Sequence, residues 1–458
     1  MKKKMSEKIT KRLNDSAAAR WGALAVVAFT MMAAYFVNDI MAPLKTMLET
    51  DLGWTSPEFG FFTGAYSFLN VFLLMLIWGG FILDKFGVRF TGKLAAALMV
   101  VGTAVEYFAI TKLAGVEGTF LGYKTNVFVA AAGYSVFGVG AEVAGITVTK
   151  IIAKWFKGKE VATAMGVQVA LARIGSQAAY SLAIPIARNS GLSTPLLVGL
   201  VLLIGGLVAF VVFSSMDKKL DKQIAESGEE TSEEDEEKFS FKDVVAILKN
   251  RGFWLIAILC VLFYSCIFPF QKFATEFFIL KYGMAEAAAG TIAGLPALGA
   301  LILTPLFGGM VDKKGKAASF MMLGSGMLIG VHLLYSIPSL HATWMAVVLM
   351  IVLGVAFSLV PSAMWPSVTK IFPTYQLGTA YALIFFIQNI GLWGVPFLIG
   401  GILDKFCIVG KTAAGGNLYD YTLPMIVFSG FAVLALVVSI ILKRTDKKRG
   451  YGLEKPNI

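Results

Sequence analysis

Long apolar segments recur along the whole chain, and they constrain its fold more than any other feature of the sequence. Each is long enough to cross about 30 Å of bilayer hydrocarbon as a helix. Lipid cannot hydrogen-bond to an open backbone, so spanning segments of this kind must be helical. The sequence predicts twelve spans, which are Trp21–Leu44, Pro57–Leu83, Phe90–Ile110, Val127–Lys150, Val161–Ala187, Pro195–Met216, Phe253–Leu280, Ala287–Val311, Ala317–Ile337, Ala342–Val368, Leu377–Leu403 and Leu423–Leu442.

The composition excludes several other classes of protein. Of the 458 residues, 57% are apolar and 15% are charged, and the mean hydropathy is +0.74. A soluble domain has about a quarter of its residues charged. The 3 cysteines form no C-x-x-C pair, and the 2 histidines, His332 and His341, fall at a predicted loop. We therefore expect neither a disulfide framework nor a metal site, and no cofactor.

The net charge of +11 is explained by membrane topology rather than by nucleic-acid binding. With a cytoplasmic N-terminus, most Lys and Arg residues fall in inside loops, so both termini are predicted to be cytoplasmic. Between the sixth and seventh spans lies an acidic, polar segment of the kind that forms flexible linkers. The predicted organisation is a basic tail (1–20), a six-helix bundle (21–216), an acidic linker (217–251), a second six-helix bundle (252–443) and a tail (444–458).

The two halves repeat each other. The pattern G-x-x-x-D-K-x-G-x-[RK] follows the second span and returns after the eighth. Its first copy contains Gly80, Asp84, Lys85, Gly87 and Arg89, and its second contains Asp312 and Gly315. A further echo aligns the fifth span with the eleventh and places Arg173 opposite Asn389. Duplicated halves of this kind are typical of secondary transporters, with the binding site at the interface between the repeats.

With this motif between spans two and three, the chain resembles the major facilitator superfamily. The resemblance implies an all-α membrane fold of twelve helices in two pseudo-symmetric halves, which rock about a central cavity. It also implies that Asp84 and Arg89 form charge-assisted hydrogen bonds across the cytoplasmic seam between the halves. The alternative is a static surface ion pair with little effect on stability.

Two charged residues are predicted at matched depth inside the membrane. Glu142 in span four and Arg173 in span five are equidistant from the turn at Lys157–Lys159, so a helical hairpin brings them to the same height near the midplane. Charges at this depth are costly and usually functional. Either the two neutralise each other as a buried ion pair, or Glu142 binds an ammonium and Arg173 a carboxylate of a zwitterionic substrate.

Polar residues without charge are predicted to complete the site. The second half shows no charged residue at mid-depth, so we expect it to supply hydrogen bonds and an aromatic wall. Its candidates are Tyr264, Trp365, Gln388 and Asn389, and weaker candidates in the first half are Tyr35, Asn38, Tyr66 and Asn70. For Gln388 and Asn389 the alternative is a bond between neighbouring helices. Asp39 is predicted to lie too near the outer face for a central ligand.

Within the superfamily, the chain is similar to the branch of lysosomal dipeptide uniporters and their bacterial relatives. The residues that carry this likeness are Glu142, Arg173 and the glycine-rich approach Gly133–Gly140. The resemblance implies that Glu142 and Arg173 bind the two termini of a dipeptide. Since no N-x-[ST] sequon falls in a predicted outside loop, we expect a bacterial cytoplasmic membrane rather than a lysosomal one. We also expect a monomer, in contact with lipid and a small-molecule substrate.

The sequence thus predicts a secondary carrier of a small zwitterionic or anionic solute, with dipeptides as the best candidate. Glu142 is predicted to be the one carboxylate near the midplane and to be kept charged by Arg173. A permanently charged acid carries protons poorly, so transport driven by the solute gradient alone is favoured. The alternative is a proton- or anion-coupled carrier of organic anions, in which Arg173 anchors the substrate and Glu142 carries a proton. A membrane sensor that does not transport is the remote alternative, and no enzyme constellation is present.

Overall fold

The computed structural model describes residues 12–226, 241–412 and 415–456. The described chain is overwhelmingly helical. Its helices are α1 (Ala17–Ile40), α2 (Lys45–Leu52), α3 (Ser56–Phe72), α4 (Met75–Lys112), α5 (Thr125–Trp155), α6 (Val161–Ser190), α7 (Thr194–Glu226), α8 (Phe241–Leu248), α9 (Arg251–Ser265), α10 (Phe268–Tyr282), α11 (Glu286–Lys314), α12 (Ala317–Ser336), α13 (Thr343–Ile371), α14 (Leu377–Phe406) and α15 (Thr422–Arg449). Two small antiparallel hairpins pair β1 (Thr119–Phe120) with β2 (Tyr123–Lys124) and β3 (Ile408–Lys411) with β4 (Asn417–Tyr419).

Ten helical segments of the described chain are long and apolar enough to cross a membrane. They do not match the twelve predicted spans one for one. The predicted second span is divided between α3, which has 17 residues, and the start of α4. The α4 helix is interrupted by a kink at Gly87, between the predicted end of the second span and the predicted start of the third, and then continues through the third span. The all-α membrane fold is confirmed, whereas the count of twelve stays a prediction.

Local sequence explains where the long helices bend. Within α4, Gly87 of the repeated motif has φ 72°, a left-handed conformation that glycine adopts without steric cost. The predicted seventh span is broken into α9 and α10 at Cys266 and Ile267, with Pro269 in the first turn of α10. Proline is tolerated there because the first amides of a helix have no partner within it. This break turns the start of α10 toward the centre of the molecule.

The linker and domain boundaries are only partly described. The α7 helix runs to Glu226, beyond the predicted boundary at residue 216, and α8 lies inside the segment predicted as linker. The acidic run at 229–237 lies outside the described residues. The boundaries of the two bundles therefore stay predictions.

The two halves of the chain meet at one end of the molecule, which we call the α2 face. Two helix pairs, α3 with α14 and α6 with α11, make the most extensive contacts between the halves. Three described ion pairs join the halves there, Lys45–Glu276 at 2.6 Å, Lys272–Asp39 at 2.9 Å, and Arg188–Glu286 with Nε 2.8 Å from Oε2. Both partners of the first pair are buried, with side chains 1% and 3% exposed. The molecule is thus closed at the α2 face, which the topology prediction places outside.

The C-terminal tail packs against the second copy of the repeated motif. Leu453 is fully buried, and its backbone oxygen accepts from the amide of Ala317 at 3.0 Å. The Glu454 carboxylate accepts from the backbone amide of Ser319 at 2.9 Å and from its hydroxyl at 2.7 Å. Lys443 lies 3.3 Å from the same carboxylate. These bonds attach the tail to the first turn of α12.

Close packing of α1 on α6 should make Gly175 intolerant of a side chain. A Cβ atom at Gly175 would lie 2.2 Å from the backbone oxygen of Met32, whereas one at Gly166 on the same helix would meet nothing within 4 Å. We expect Gly175→Ala to destabilise the protein by about 1–3 kcal/mol through overpacking. Gly166→Ala should leave stability unchanged or raise it slightly. Melting temperatures of the two purified variants test this, and equal values would contradict the helix packing.

The docked tail should be released by acid. Partial burial acts to raise the pKa of Glu454, but the two hydrogen bonds from Ser319 and the Lys443 charge outweigh it and hold that pKa below its usual value. A carboxyl with a lowered folded-state pKa stabilises the docked tail near neutral pH, and this contribution is lost as pH falls through that pKa. Cleavage after Lys455 by a lysine-specific protease should therefore accelerate in acid relative to an unfolded reference peptide.

The matched variant for the tail is Glu454→Gln, which should expose Lys455 to the protease already at neutral pH. Glu117→Gln, an exposed position in the loop before β1, serves as the control and should cleave like the unsubstituted protein. Identical cleavage of all three proteins at every pH would contradict the role of Glu454.

Candidate functional site

A cavity of about 340 Å³ lies between the two halves, and most of the predicted site residues line it. It is walled by helices α1, α3, α5 and α6 from the first half and α9, α10, α13 and α14 from the second. Its polar and charged lining residues are Tyr35, Asn38, Thr63, Tyr66, Ser67, Tyr134, Glu142, Arg173, Tyr264, Lys272, Trp365, Gln388 and Asn389. A cavity shared by both halves is where a carrier of repeated architecture binds its solute.

Glu142 projects from α5 toward α3, where Tyr66 holds it. The Tyr66 hydroxyl donates to Oε1 of Glu142 at 3.0 Å. The two helices can approach this closely because residue 138 of α5 is glycine, and a Cβ there would lie 2.1 Å from the backbone oxygen of Tyr66. The glycine-rich approach seen in the sequence thus has a packing reason. The close approach of α5 and α3 lets the uncharged Tyr66 hydroxyl orient the Glu142 carboxylate.

Arg173 projects from α6 between aromatic rings of both halves. Its guanidinium carbon lies 5.6 Å from the centroid of Tyr35 in the first half and 5.0 Å from that of Phe357 in the second. Cation–π contacts of this kind hold a guanidinium without using its hydrogen-bond donors. Within the described residues no ion pair joins Arg173 to Glu142, whose contacts are with Tyr35 and Phe357 and with Tyr66 respectively. The two opposite charges line one cavity but remain separate.

The second half contributes the expected aromatic wall. Trp365 stacks on Phe385 with ring centroids 4.7 Å apart, and its Nε1 donates to the Tyr264 hydroxyl at 3.3 Å. Tyr264 in turn stacks on Phe268 at 5.3 Å. Prolines 361 and 366 flank Trp365 inside α13 without ending the helix. The wall is therefore a continuous run of rings from α10 across α9 and α13 to α14.

The predicted amide residues differ in their surroundings. Asn389 donates through Nδ2 to the backbone oxygen of Phe385 at 3.0 Å, while its Oδ1 is buried without a hydrogen-bond partner. The Gln388 Oε1 accepts from the thiol of Cys260 at 3.4 Å. Asn38 lines the cavity, whereas Asn70, only 1% exposed, does not. The roles of all these residues in binding stay predictions.

Sequence reasoning missed Lys272, a charged residue of the second half that lines the cavity. It pairs with Asp39, which is predicted near the outer face, so the absence of charge at mid-depth in the second half stays a prediction. Lys272 lies on α10, one turn after the break at Pro269, and lines the cavity. Its Nζ donates to the backbone oxygen of Asn38 at 2.6 Å and to Oδ1 of Asp39 at 2.9 Å. The available signal was an ionisable residue inside a predicted span, next to a helix-breaking proline.

A second missed residue is Glu106 of α4, a buried carboxylate near the outer end of the predicted third span. The expectation that Glu142 is the one carboxylate near the midplane stays a prediction. Glu106 is 0% exposed, and neither carboxyl oxygen has a hydrogen-bond partner. The available signal was an ionisable residue inside the predicted third span. His332 is also fully buried, 3.0 Å through Nε2 from the backbone oxygen of Cys266, and not in a loop. Neither residue lines the cavity.

The repeated motif lies at the face opposite the α2 face. Asp84 pairs with Lys150 at 3.0 Å, and Arg89 lies 3.3 Å from Asp221 of α7. Within the part of the chain that the structure describes, the ion pairs of Asp84 and Arg89 are made with α5 and α7 and not with the second half. In the second copy, Gly315 ends α11 with φ 65° beside the backbone of Lys455. A gating role for the motif stays a prediction.

Among the described residues, no group of three or more His, Cys, Asp or Glu side chains lies close enough together to hold a metal ion. The arrangement of the cavity is therefore one of charges, rings and amides. Such a site can bind and orient a polar organic solute through ionic and aromatic contacts.

Curated proteins with similar sequences share one description. The chain is 30% identical over 400 residues to the lysosomal dipeptide transporter MFSD1 of Homo sapiens, an alignment that covers 83% of this chain and 79% of that protein. The Mus musculus protein of the same description is 29% identical over 445 residues, covering 94% of this chain and 87% of that protein.

Solved structures share the fold at low sequence identity. The nucleoside transporter NupG superposes with a TM-score of 0.67 at 13% identity, covering 92% of this chain and 98% of that chain. A bacterial homolog of the human lysosomal transporter Spinster, in an inward-facing and unoccupied conformation, gives 0.70 at 14% identity, covering 94% and 98%. The sequence also matches the Major Facilitator Superfamily over residues 24–396. This chain therefore belongs to the major facilitator superfamily and is an integral, multi-pass membrane transporter rather than an enzyme.

Proposed function

We propose that this protein carries short peptides, dipeptides foremost, across the membrane by alternating access. The observation that carries the proposal is the separation of Glu142 from Arg173 in one cavity. Tyr66 orients the carboxylate and two rings orient the guanidinium. A peptide with a free amino group and a free carboxylate offers the complementary charges.

Arg173 suits a carboxylate because its aromatic contacts leave its donors unused. A guanidinium matches a carboxylate with two parallel hydrogen bonds, a geometry that an ammonium cannot provide. Glu142 keeps one oxygen free of Tyr66 for the substrate ammonium. The opposing wall of Trp365 and Tyr264 offers stacking and a few polar contacts, which accommodates different side chains without selecting one.

The size of the cavity and the descriptions of the relatives support the same substrate class. A volume of about 340 Å³ lies at the small end of ligand pockets, which run from about 300 to 1,000 Å³. The relatives that share about 30% identity with this chain are described as dipeptide transporters. The charges, the volume and this likeness favour dipeptides over sugars or nucleosides.

Alternating access is supported by the way the halves meet. Ion pairs between the halves lie at the α2 face, and Arg173 reaches the Phe357 ring across the cavity. A substrate bound between Arg173 and the second-half wall would touch both halves at once. A substrate can shift the equilibrium between the outward-open and inward-open states only through contacts that differ between those states.

We propose that transport is driven by the solute gradient alone. Within the described residues Glu142 contacts Tyr66 and Arg173 contacts two aromatic rings, and no ion pair joins the two charges. What supports uniport is the geometry of the cavity. A carboxylate that binds the substrate ammonium must be ionised, and Glu106 lies outside the cavity lining. We further propose that the protein acts as a monomer in a bacterial cytoplasmic membrane, unlike the lysosomal relatives.

Replacing Arg173 by Lys should abolish most transport and leave folding intact. Lysine keeps the positive charge but loses the planar contacts and the two-pronged hydrogen bonding. Uptake of a labelled dipeptide into proteoliposomes measures the effect, and we expect at least a tenfold loss, which corresponds to about 1.4 kcal/mol. Arg188→Lys, on the same helix but exposed and paired with Glu286, is the matched control and should transport nearly normally. Near-normal uptake by Arg173→Lys would overturn the carboxylate-binding role.

An inward proton gradient should not drive accumulation of dipeptide. Proteoliposomes with equal dipeptide inside and outside should show no net uptake when the outside is acidified, since the cavity carboxylate Glu142 must stay ionised to bind the substrate ammonium. Exchange of labelled for unlabelled dipeptide in the same vesicles confirms that the protein is active. Accumulation that a protonophore abolishes would instead establish the proton-coupled alternative, with Glu142 as the first carrier to test.

A further inference from the structure

Two carboxylates share one lysine in a buried cluster where the halves meet, and substrate binding uses none of the three groups. Lys45 of α2 donates to Oε1 of Glu49 on the same helix at 2.5 Å and to Oε2 of Glu276 on α10 at 2.6 Å. The side chains of Lys45, Glu49 and Glu276 are 1%, 6% and 3% exposed. We call these three residues the α2 cluster.

The other groups that contact the α2 cluster are uncharged at neutral pH. The Ser56 hydroxyl of α3 donates to the carboxylate of α2 at 2.9 Å, and the Tyr421 hydroxyl at the start of α15 donates to the carboxylate of α10. The lysine ammonium lies over aromatic rings of three further elements, which are Tyr419 of β4 at 4.9 Å, Phe273 of α10 at 5.8 Å and Phe59 of α3 at 5.9 Å. Tyrosine stays neutral below about pH 10.

The α2 cluster therefore contains one more acid than it contains bases. In the described chain both carboxylates form their ion pairs with Lys45 alone. With all three groups ionised, one negative charge would be buried without compensation, which is costly in a site away from water. Two carboxylates that share a site resist ionising together. A single bound proton removes the excess charge.

Opening the α2 face would divide the cluster along the boundary between the halves. Lys45 and Glu49 lie one turn apart on α2 and stay together, whereas Glu276 and Tyr421 belong to the second half and move with it. The open state then has a one-to-one ion pair on one half and a carboxylate in water on the other. Only closure brings the second acid to the shared lysine.

We propose that Glu49 and Glu276 together bind one proton when the α2 face closes and release it when that face opens. On closure, a proton from the outer solution forms an O–H bond with one of the two carboxylates. On opening, that bond breaks and the proton returns to water on the same side. The ligand of the site is the proton, and the two carboxylates titrate as one unit.

The position of the cluster separates this proton from the path of the solute. Glu276 lies one turn beyond Lys272 on α10, and of the two only Lys272 lines the cavity. The ion pair of Lys272 with Asp39 thus lies between the cavity and the cluster. Because the proton enters and leaves through the α2 face, it is not carried across the membrane. The pH outside sets the balance of the two states without driving accumulation.

The direction of the pH dependence follows from the number of protons bound in each state. The closed state binds one proton more than the open state, so acid favours closure and alkali favours opening. For a single proton, the ratio of closed to open molecules should fall by up to about tenfold for each unit rise in pH across the linked range.

The test measures the opening of the α2 face without substrate. Cysteines for spin labels are introduced at Glu117 in the first half and His341 in the second, both exposed, while the three native cysteines are buried. Distances between the labels in lipid nanodiscs are recorded over a range of pH. The protein with the native cluster should pass from a short distance in acid to a longer one in alkali. Glu49→Gln removes the excess acid and keeps the bond from Lys45 to Glu276, so it should stay at the short distance throughout.

Three further variants separate the cluster from other acids of the protein. Glu286 also pairs across the α2 face, but with Arg188 in a one-to-one pair, so Glu286→Gln is the matched control and should keep the pH dependence. Glu106→Gln, which removes a buried acid outside the cluster, should keep it too. Glu49→Asp retains a carboxyl and should keep it with a displaced midpoint. A pH dependence that survives unchanged in Glu49→Gln overturns the proposal, as does a distance in the native protein that never changes with pH.

If Glu49→Gln does not fold, infrared spectroscopy decides the matter. A protonated carboxylic acid gives a carbonyl-stretch band that is absent from a carboxylate. The component of this band that Glu49→Asp or Glu276→Asp displaces should grow as the pH falls, in step with the short distance between the labels. A band component that does not follow the distance overturns the proposal. The proposal rests on the alternating access proposed above but on no substrate, so its failure is distinct from a failure of dipeptide uptake.

Discussion

The ion pairs that join the two halves at the α2 face hold this conformation together. Lys45 with Glu276 and Lys272 with Asp39 each unite a residue of the first half with one of the second, and the first pair is almost wholly excluded from solvent. Breaking a buried pair leaves a charge without a partner, so such contacts are formed or lost as a unit. This makes the interface suited to two discrete states rather than to a continuum of partial openings.

The same interface positions the binding site. Closure at the α2 face brings the break between α9 and α10 over the end of α1, which places Lys272 at the cavity and the aromatic wall opposite Arg173. Charged residues therefore line the cavity from both halves, although the sequence predicts them in the first half alone. The first half supplies two opposite charges to the cavity, Glu142 and Arg173, and the second supplies rings, amides and a lysine that is already paired with Asp39 of the first.

Much of the architecture could be predicted because it follows from local rules. Long apolar runs can cross a bilayer only as helices, and the repeated motif marks corresponding turns in the two halves. The depth match of Glu142 and Arg173 follows from their equal distance from one helical turn. Nine residues that line the cavity could be predicted, because each is a polar side chain deep within an apolar span: Tyr35, Asn38, Tyr66, Glu142, Arg173, Tyr264, Trp365, Gln388 and Asn389. Asn70 shows the limit of that method, because its depth in the span does not show which way its side chain points.

The sequence by itself determined that this chain is a helical membrane protein with two related halves and few charges inside the membrane. Those properties depend on hydrophobic length, charge count and repetition, all of which are local. Only the tertiary structure decided that Glu142 and Arg173 remain separate, that Lys272 reaches Asp39 across the interface, and that Glu106 is buried without a partner. Each of these depends on which helix faces which, and contacts between distant segments are set by packing that no single segment encodes.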